Sequence, residues 1–419
     1  MRVTPVTVLL GAALPALVTG INLPLSTSSR WILDADGNRV KLRCVNWAGH
    51  LEGNTPEGLN KQPVDRIADF VAAQGFNCVR LTYSIDHALS PDVPLSQSFT
   101  AAASAAGVSV DDMNKAYAGI VDKNPFAAQN GTTTTRDAYE AVIAALWKRG
   151  VMTILDNHVS KASWCCNLTD GNGWWDKGAG YTKANSRFFN TDNWLRGLES
   201  VAAWSATQPG VIGMGLRNEI REFLTQGTFN GREDWYDFLG QAAGRVHAAN
   251  PAILVIMGGT QSSTDLVHVR TKGNIDWTAW AGKHVWEWHA YEFTVTYAVG
   301  KGSCDALKSE YGLFDGFVLE QGKSYTAPLL LSEFGFGMAG GPRDGLSDAD
   351  DRYFKCLREY VLSNDAEWAI WALMGSYYVR EGKVDADESF GVLDHDWVGL
   401  RNPKLPELLE PMFKITQGP

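Results

Sequence analysis

Two acidic residues stand where a chain could use them. Glu219 lies in GMGLRNEI and Glu333 in LLLSEFG, each straight after a short apolar run. Two carboxyl groups, one kept protonated and one ionised, suffice to break a glycosidic bond. One gives a proton to the leaving oxygen, and the other stabilises charge at the anomeric carbon. More than a hundred positions separate them, so only a fold that gathers strand ends can bring them together. Glu219 is preceded by Asn218, an amide able to bind a sugar hydroxyl.

Eight short apolar or β-branched runs provide those ends: KLRCVNW (41–47), NCVRLTY (77–83), VMTILDNH (151–158), VIGMGLRNE (211–219), AILVIMGG (252–259), HVWEWHAY (284–291), LLLSEFG (329–335) and WAIWALMG (368–375). Between them lie segments such as PVDRIADFVAAQG, TRDAYEAVIAALWKRG, REDWYDFLGQAAGRVHAAN and DADDRYFKCLREYVLSN. Their apolar residues recur every three or four positions, the period of an amphipathic helix. Strand and helix alternating eight times predict an α/β fold, a single (β/α)8 barrel. Polar residues close nearly every run, whereas an open doubly wound sheet concentrates its site at one switch point. Long connections after strands two (84–136) and three (159–185) are expected to rise over the barrel mouth. No linker or compositional break suggests a further domain within 21–419.

The residues at these ends resemble glycoside hydrolase family 5 across essentially the whole chain. That family's active-site types are found here in order as Arg80, His158, Asn218, Glu219, His289, Tyr291, Glu333 and Trp371. The resemblance implies Glu219 as acid/base, Glu333 as nucleophile, and the others as substrate-binding groups around the sugar at the cleavage point. It implies a retaining β-glycosidase without metal or cofactor. WCCNLTDGNGWW, LRNEIRE and GSYYVREG resemble a plant-and-fungal branch. Endo-β-glucanase action is expected ahead of an exo-acting or disaccharide-releasing enzyme. A non-catalytic sugar-binding barrel would lack one of the carboxylates, and both are present.

Less specific signals surround this set. Trp47, Asn46 and His50 follow the first strand, and Trp164, Trp174 and Trp175 lie in the third-strand connection; each either lines a sugar subsite or pins a loop. Trp286, Trp288 and Glu292 flank the sixth strand end, and Glu287 is expected to face away from the mouth. No H-x-H or H-E-x-x-H pattern supports a metal-dependent hydrolase. Asp170-Gly171-Asn172-Gly173 reads as a tight turn rather than a calcium loop. Gly335, Gly337 and Gly340 would suit a phosphate, but Glu333 would repel one.

A formal charge of −10 disfavours nucleic acid and anionic membranes as partners and leaves a neutral carbohydrate indifferent. Arg2 precedes an apolar stretch, Val6 to Val18, broken by Pro15, which predicts a signal peptide over 1–20 and a secreted, monomeric protein. Sequons begin at Asn130 and Asn167. Six cysteines allow 15 pairings. Cys44 and Cys78 read as buried unpaired thiols, and two bridges are expected among Cys165, Cys166, Cys304 and Cys356. A Cys165–Cys166 pair would require an unusual turn.

Overall fold

A computed structural model describes residues 20–128, 131–167, 169–179, 181–221, 223–225, 228–230, 232–294, 296 and 303–419. Nearly all of the expected signal peptide and Asn130 itself lie outside the described residues, whereas Asn167 is exposed. Among the described residues, no helix is long and apolar enough to cross a membrane.

Eight parallel strands close into one barrel. They are β1 (Arg43–Trp47), β2 (Cys78–Ser84), β3 (Met152–Val159), β4 (Val211–Gly215), β5 (Leu254–Gly258), β6 (His284–Ala290), β7 (Leu329–Phe334) and β8 (Glu367–Ile370). They adjoin in chain order, with β8 paired to β1. The four quoted helical segments form α1 (Val64–Ala73), α2 (Thr135–Trp147), α4 (Arg232–Ala249) and α6 (Asp348–Asn364). Helix α3 (Thr191–Ser205) joins β3 to β4 and packs against α4, and α5 (Cys304–Phe314) precedes β7. The Thr-rich run before α2 is a helix start: the Thr134 side chain accepts from the Asp137 amide, and Asp137 accepts in return from the Thr134 amide.

Side-chain alternation divides each strand between two environments. One parity faces the helices: Val45, Trp47, Val79, Leu81, Leu155, Val255, Trp286 and Trp288 belong to the large outer core. The other parity fills the barrel in tiers. Cys44, Cys78, Ile154, Ile256, Val285 and Ala369 form an apolar tier, joined by Leu25, Ile32, Val40 and Leu42 at the strands' N-terminal end. Two residues further along come Asn46, Arg80, Asp156 and Glu287, all buried. Two further still are His158 and His289 at the mouth. The change from apolar to charged therefore takes one side-chain repeat.

Several boundaries and contacts correct the expectations. Strand β4 stops at Gly215, so Arg217, Asn218 and Glu219 stand on a turn beyond it; β8 stops at Ile370, just short of Trp371. GSYYVREG is a hairpin, Ser376–Arg380 against Lys383–Asp387. Glu287 faces into the barrel, not away, because it shares parity with His289; Trp286 and Trp288 take the outer face. All six cysteines are paired, Cys44–Cys78, Cys165–Cys166 and Cys304–Cys356. Cys44 and Cys78 are register partners on adjacent strands with Cα atoms 4.5 Å apart, so they are not free thiols.

Because the Cys44–Cys78 bridge closes a 34-residue separation below the charged tier, it should serve stability rather than turnover. Replacing both by alanine should cost about 2–4 kcal/mol in denaturant unfolding while leaving kcat within about twofold of wild type. Equal unfolding midpoints for the two proteins would contradict this.

Candidate active site

Arg80 sits at the centre of the charged tier with no solvent exposure. Its Nη1 donates to Glu333 Oε1 at 2.7 Å and to Asn46 Oδ1 at 3.0 Å. Its Nη2 donates to Asn218 Oδ1 at 2.9 Å and lies 2.8 Å from Asp156 Oδ1 and 3.6 Å from Glu287 Oε2. Burial works against the guanidinium charge, but Asp156, Glu287 and Glu333 outweigh it and raise its pKa above the usual value.

Glu333 ends β7, where the β6 register shifts between Trp288 and His289 so that His289 pairs with Glu333. Tyr291 donates its hydroxyl to Glu333 Oε2 at 3.1 Å. Burial pushes the Glu333 carboxyl up, opposed by His289 and Arg80. Tyr291 is itself held well above its ordinary pKa, by burial first and then by Glu333, so it remains a donor.

Glu219 arises differently. Its backbone is left-handed, φ 47°, an uncommon state for a residue with a Cβ. The turn is tied down on both sides. Asn218 donates its amide to Asn157 O at 2.9 Å, and Ser262 donates to Ile220 O at 3.0 Å. Arg221 pairs with Asp170 at 3.0 Å, anchoring the β3 connection to the same turn. The DGNG run is indeed a turn: Asn172 Oδ1 accepts from the amides of Ser160 and Lys161. Burial raises the Glu219 carboxyl to about 7, with Arg221 opposing and Asp170 reinforcing. His289 Nδ1 lies 3.2 Å from Glu219 Oε1.

Burial disfavours the charged form of both histidines at the mouth. Burial drives His158 well below its ordinary pKa, with Arg80 adding to the effect. Its Nδ1 is 2.8 Å from Asp156 Oδ2, which fixes the proton on Nδ1 and leaves Nε2 as acceptor. Asn218 Nδ2 donates to that Nε2 at 3.3 Å while Asn218 Oδ1 accepts from Arg80, so the amide has one orientation. His289 is also shifted down by burial, against Glu333 and Glu287.

A cleft opens above these groups, lined by His158, Glu219, Glu333, Tyr291 and Trp371. The Trp371 ring stacks 5.5 Å from His158. Gly335 is required beside it, because a Cβ there would meet the Trp371 carbonyl at 2.7 Å. Arg80 and Asn218 support the cleft from beneath. Three other expected subsite residues are not brought to it. Trp47 is wholly buried, donating to Glu57 O at 3.0 Å and packing on Trp397. His50 is buried behind His158, ring to ring at 4.0 Å, with Nδ1 2.7 Å from Thr82 Oγ1. Trp174 packs with Trp175 inside the loop core. Trp164 does line the cleft, with the Arg380 guanidinium 3.5 Å above its ring centre.

Residues the sequence did not single out for the cleft are Phe293, Arg380, Glu388, Phe390 and the Cys165–Cys166 pair. Asp156 could have been found, since it precedes His158 by one strand repeat. Two groups of potential metal ligands occur among the described residues. In Glu219–His289–Glu333, Arg80 and Tyr291 already hold Glu333; in His158–Cys165–Cys166, the sulfurs are bonded to each other.

Comparison with known proteins agrees with this architecture. The family model described as cellulase, glycosyl hydrolase family 5, matches residues 33–376. A glycosyl hydrolase 5 family protein of Chamaecyparis obtusa is 39% identical over 405 residues, covering 95% of this chain and 67% of that protein. The major extracellular endoglucanase of Xanthomonas campestris pv. campestris is 28% identical, covering 94% and 71%. The solved fold of a hyperthermophilic endocellulase from Pyrococcus horikoshii superposes with a TM-score of 0.69 at 17% identity, covering 94% of this chain and 99% of that one. With a closed eight-stranded barrel and a family match over most of its length, the chain belongs to glycosyl hydrolase family 5 and is a hydrolase of glycosidic bonds.

Proposed function

We propose that this protein is a secreted, retaining endo-β-glucanase in which Glu219 is the acid/base and Glu333 the nucleophile. The reading rests on one separation: carboxylate oxygens of Glu219 and Glu333 lie within 4.8 Å of each other. Retaining glycosidases hold their carboxyl groups about 5–5.5 Å apart, whereas inverting ones need about 6.5–9.5 Å for an intervening water. Glu333 attacks the anomeric carbon as Glu219 protonates the departing oxygen, leaving a glycosyl ester. Esterification removes the Glu333 charge. Because the two carboxyl groups raise each other's pKa, Glu219 then ionises more readily and takes a proton from the incoming water. Water attacks the same face that the leaving group vacated, Glu333 departs, and anomeric configuration is retained.

Arg80 and the Tyr291 hydroxyl keep Glu333 anionic and aimed. Asn218, with one amide hydrogen committed to His158, can turn the other from its weak contact with the Cys165 and Cys166 sulfurs to a sugar hydroxyl. Trp371 gives the ring an apolar floor, extended by Trp164, Phe390 and the exposed Phe293. Relatives called endoglucanases support a β-glucan as substrate. Residues 1–20 are proposed as an export leader over a catalytic domain at 21–419. Three disulfides fit an oxidising compartment.

Glu333→Gln should lower kcat at least about a thousandfold with an unchanged unfolding midpoint. Near-normal hydrolysis by that variant would overturn the mechanism. NMR of early product should show retained configuration, and carboxymethylcellulose should lose viscosity well before reducing ends accumulate. Early release of only glucose or one disaccharide would instead establish exo action. The rate should fall above pH of about 7 as Glu219 loses its proton. A raised folded-state pKa favours the fold fully below the ordinary carboxylate range, and that contribution is lost as pH climbs through 7. Glu219→Gln, which cannot ionise, should therefore gain about 3 kcal/mol over wild type at pH 8 and almost nothing at pH 4. Equal gains at both pH values would exclude this.

A further inference from the structure

Bridges stabilise a fold mainly by closing loops in the unfolded chain, more so for longer loops. Cys44–Cys78 and Cys304–Cys356 span 34 and 52 positions, but Cys165–Cys166 spans one and closes nothing. Its presence therefore needs another account, and its position supplies one. Both cysteines line the cleft that holds Glu219, Glu333 and Trp371. Their sulfurs lie 3.9 and 3.7 Å from Asn218 Nδ2. Together with a ring nitrogen of His158 they fall within 4.8 Å of one another.

We propose that the Cys165–Cys166 disulfide is a sugar-contacting surface of the cleft, a specificity element rather than a structural staple. The inference rests on the reading of the cleft as a glycan site. A disulfide has no N–H or O–H to donate and its sulfurs are only weak acceptors, so it holds a hydroxyl far less well than the Asn218 amide does. It presents two polarizable sulfurs, suited to dispersion contact with the C–H face of a sugar ring. Set among hydrogen-bonding groups, such a surface accepts a ring face bearing axial hydrogens and disfavours one that turns an axial hydroxyl toward sulfur. The chemistry it selects is a pyranose with its hydroxyls equatorial.

Two measurements test this on the intact protein. The first compares wild type with the double variants Cys165→Ala/Cys166→Ala and Cys165→Ser/Cys166→Ser on 4-nitrophenyl β-cellobioside, with cellobiose as inhibitor. In the alanine variant KM and the cellobiose inhibition constant should rise together about tenfold, with kcat within about threefold and the melting temperature nearly unchanged. Unchanged constants in an active variant would overturn the proposal. So would a collapse of kcat at constant cellobiose affinity, which would mean that the pair acts only through Asn218 and its turn. The second uses wild type alone and remains decisive if the variants misfold. Reduction by a phosphine followed by iodoacetamide labelling, read by peptide mass spectrometry, should mark Cys165 and Cys166 before the buried Cys44 and Cys78. Saturating cellobiose should slow that labelling several-fold, and labelling at the same rate with and without cellobiose would exclude contact. Wild type that neither hydrolyses β-glucosides nor binds cellobiose would refute the glycan reading itself, a result separate from an active enzyme whose disulfide proves irrelevant.

Discussion

One buried cation organises the mouth of this barrel. Arg80 has no exposure and faces Glu333, Asp156 and Glu287 within 3.6 Å. Burial disfavours charge on the nearby histidines, so these three carboxyl groups depend chiefly on Arg80, with the buried Arg217 adding to its effect on Asp156. Burial raises the pKa of all three, and the guanidinium opposes that rise at each. A buried ion pair of this kind is a poor source of stability, because desolvation offsets the attraction. What it provides is placement. Nη1 and Nη2 of Arg80 each reach a group the proposed chemistry needs fixed: Glu333 itself, and the Asn218 amide beside Glu219. A charge that is fully solvated could do neither.

The placement of Arg80 follows from the barrel's construction. Register pairs Cys44 with Cys78 and Asn46 with Arg80, so the disulfide lies one side-chain repeat below the guanidinium on the same two strands. Gly215 on β4 leaves room for Asp156, since a Cβ there would meet its Oδ1 at 2.5 Å. Neighbouring strands thus contribute a small residue, an amide or an acid at each height, and Arg80 fills the remainder. The two glutamates are then held by unlike means. Glu333 is fixed within a strand, whereas Glu219 depends on a left-handed residue whose turn is tied to β3, to its long connection and to the segment after β5.

Much of this was legible in the sequence, for physical reasons that also explain the failures. Strands gave strong signals because apolar runs in a parallel barrel are buried on both sides. The order of polar residues at their ends was legible because each end contributes only a few side chains. Glu287 was misread because the flanking tryptophans drew attention from strand parity, which groups it with His289. Trp47, His50 and Trp174 follow strands or lie in loops, but residue type alone does not separate an indole facing sugar from one pinning a loop. Cys44 and Cys78 looked like apolar fillers because adjacent-strand register is not encoded locally. Glu388, Arg380 and Phe390 reach the cleft from a hairpin beyond β8, where no periodicity points to the barrel mouth.

The unequal mounting of the glutamates bears on their division of labour. Glu219 retains 17% side-chain exposure and Glu333 only 7%. In double displacement the acid/base must release a proton to one leaving group and recover one from water in each cycle, whereas the nucleophile exchanges no proton with solvent. The more exposed carboxyl, on a turn at the rim, suits the first task. The one enclosed by Arg80, Tyr291 and β7 suits the second, because a water reaching Glu333 directly would compete with the sugar for its lone pairs. Burial raises both carboxyls, but only Glu333 has a guanidinium hydrogen-bonded to it as a counterweight. Reversing the proposed roles would set the proton carrier against the hydrogen-bonded charge of Arg80 and leave the nucleophile with only the more distant Arg221, so the proposed assignment matches the position of Arg80.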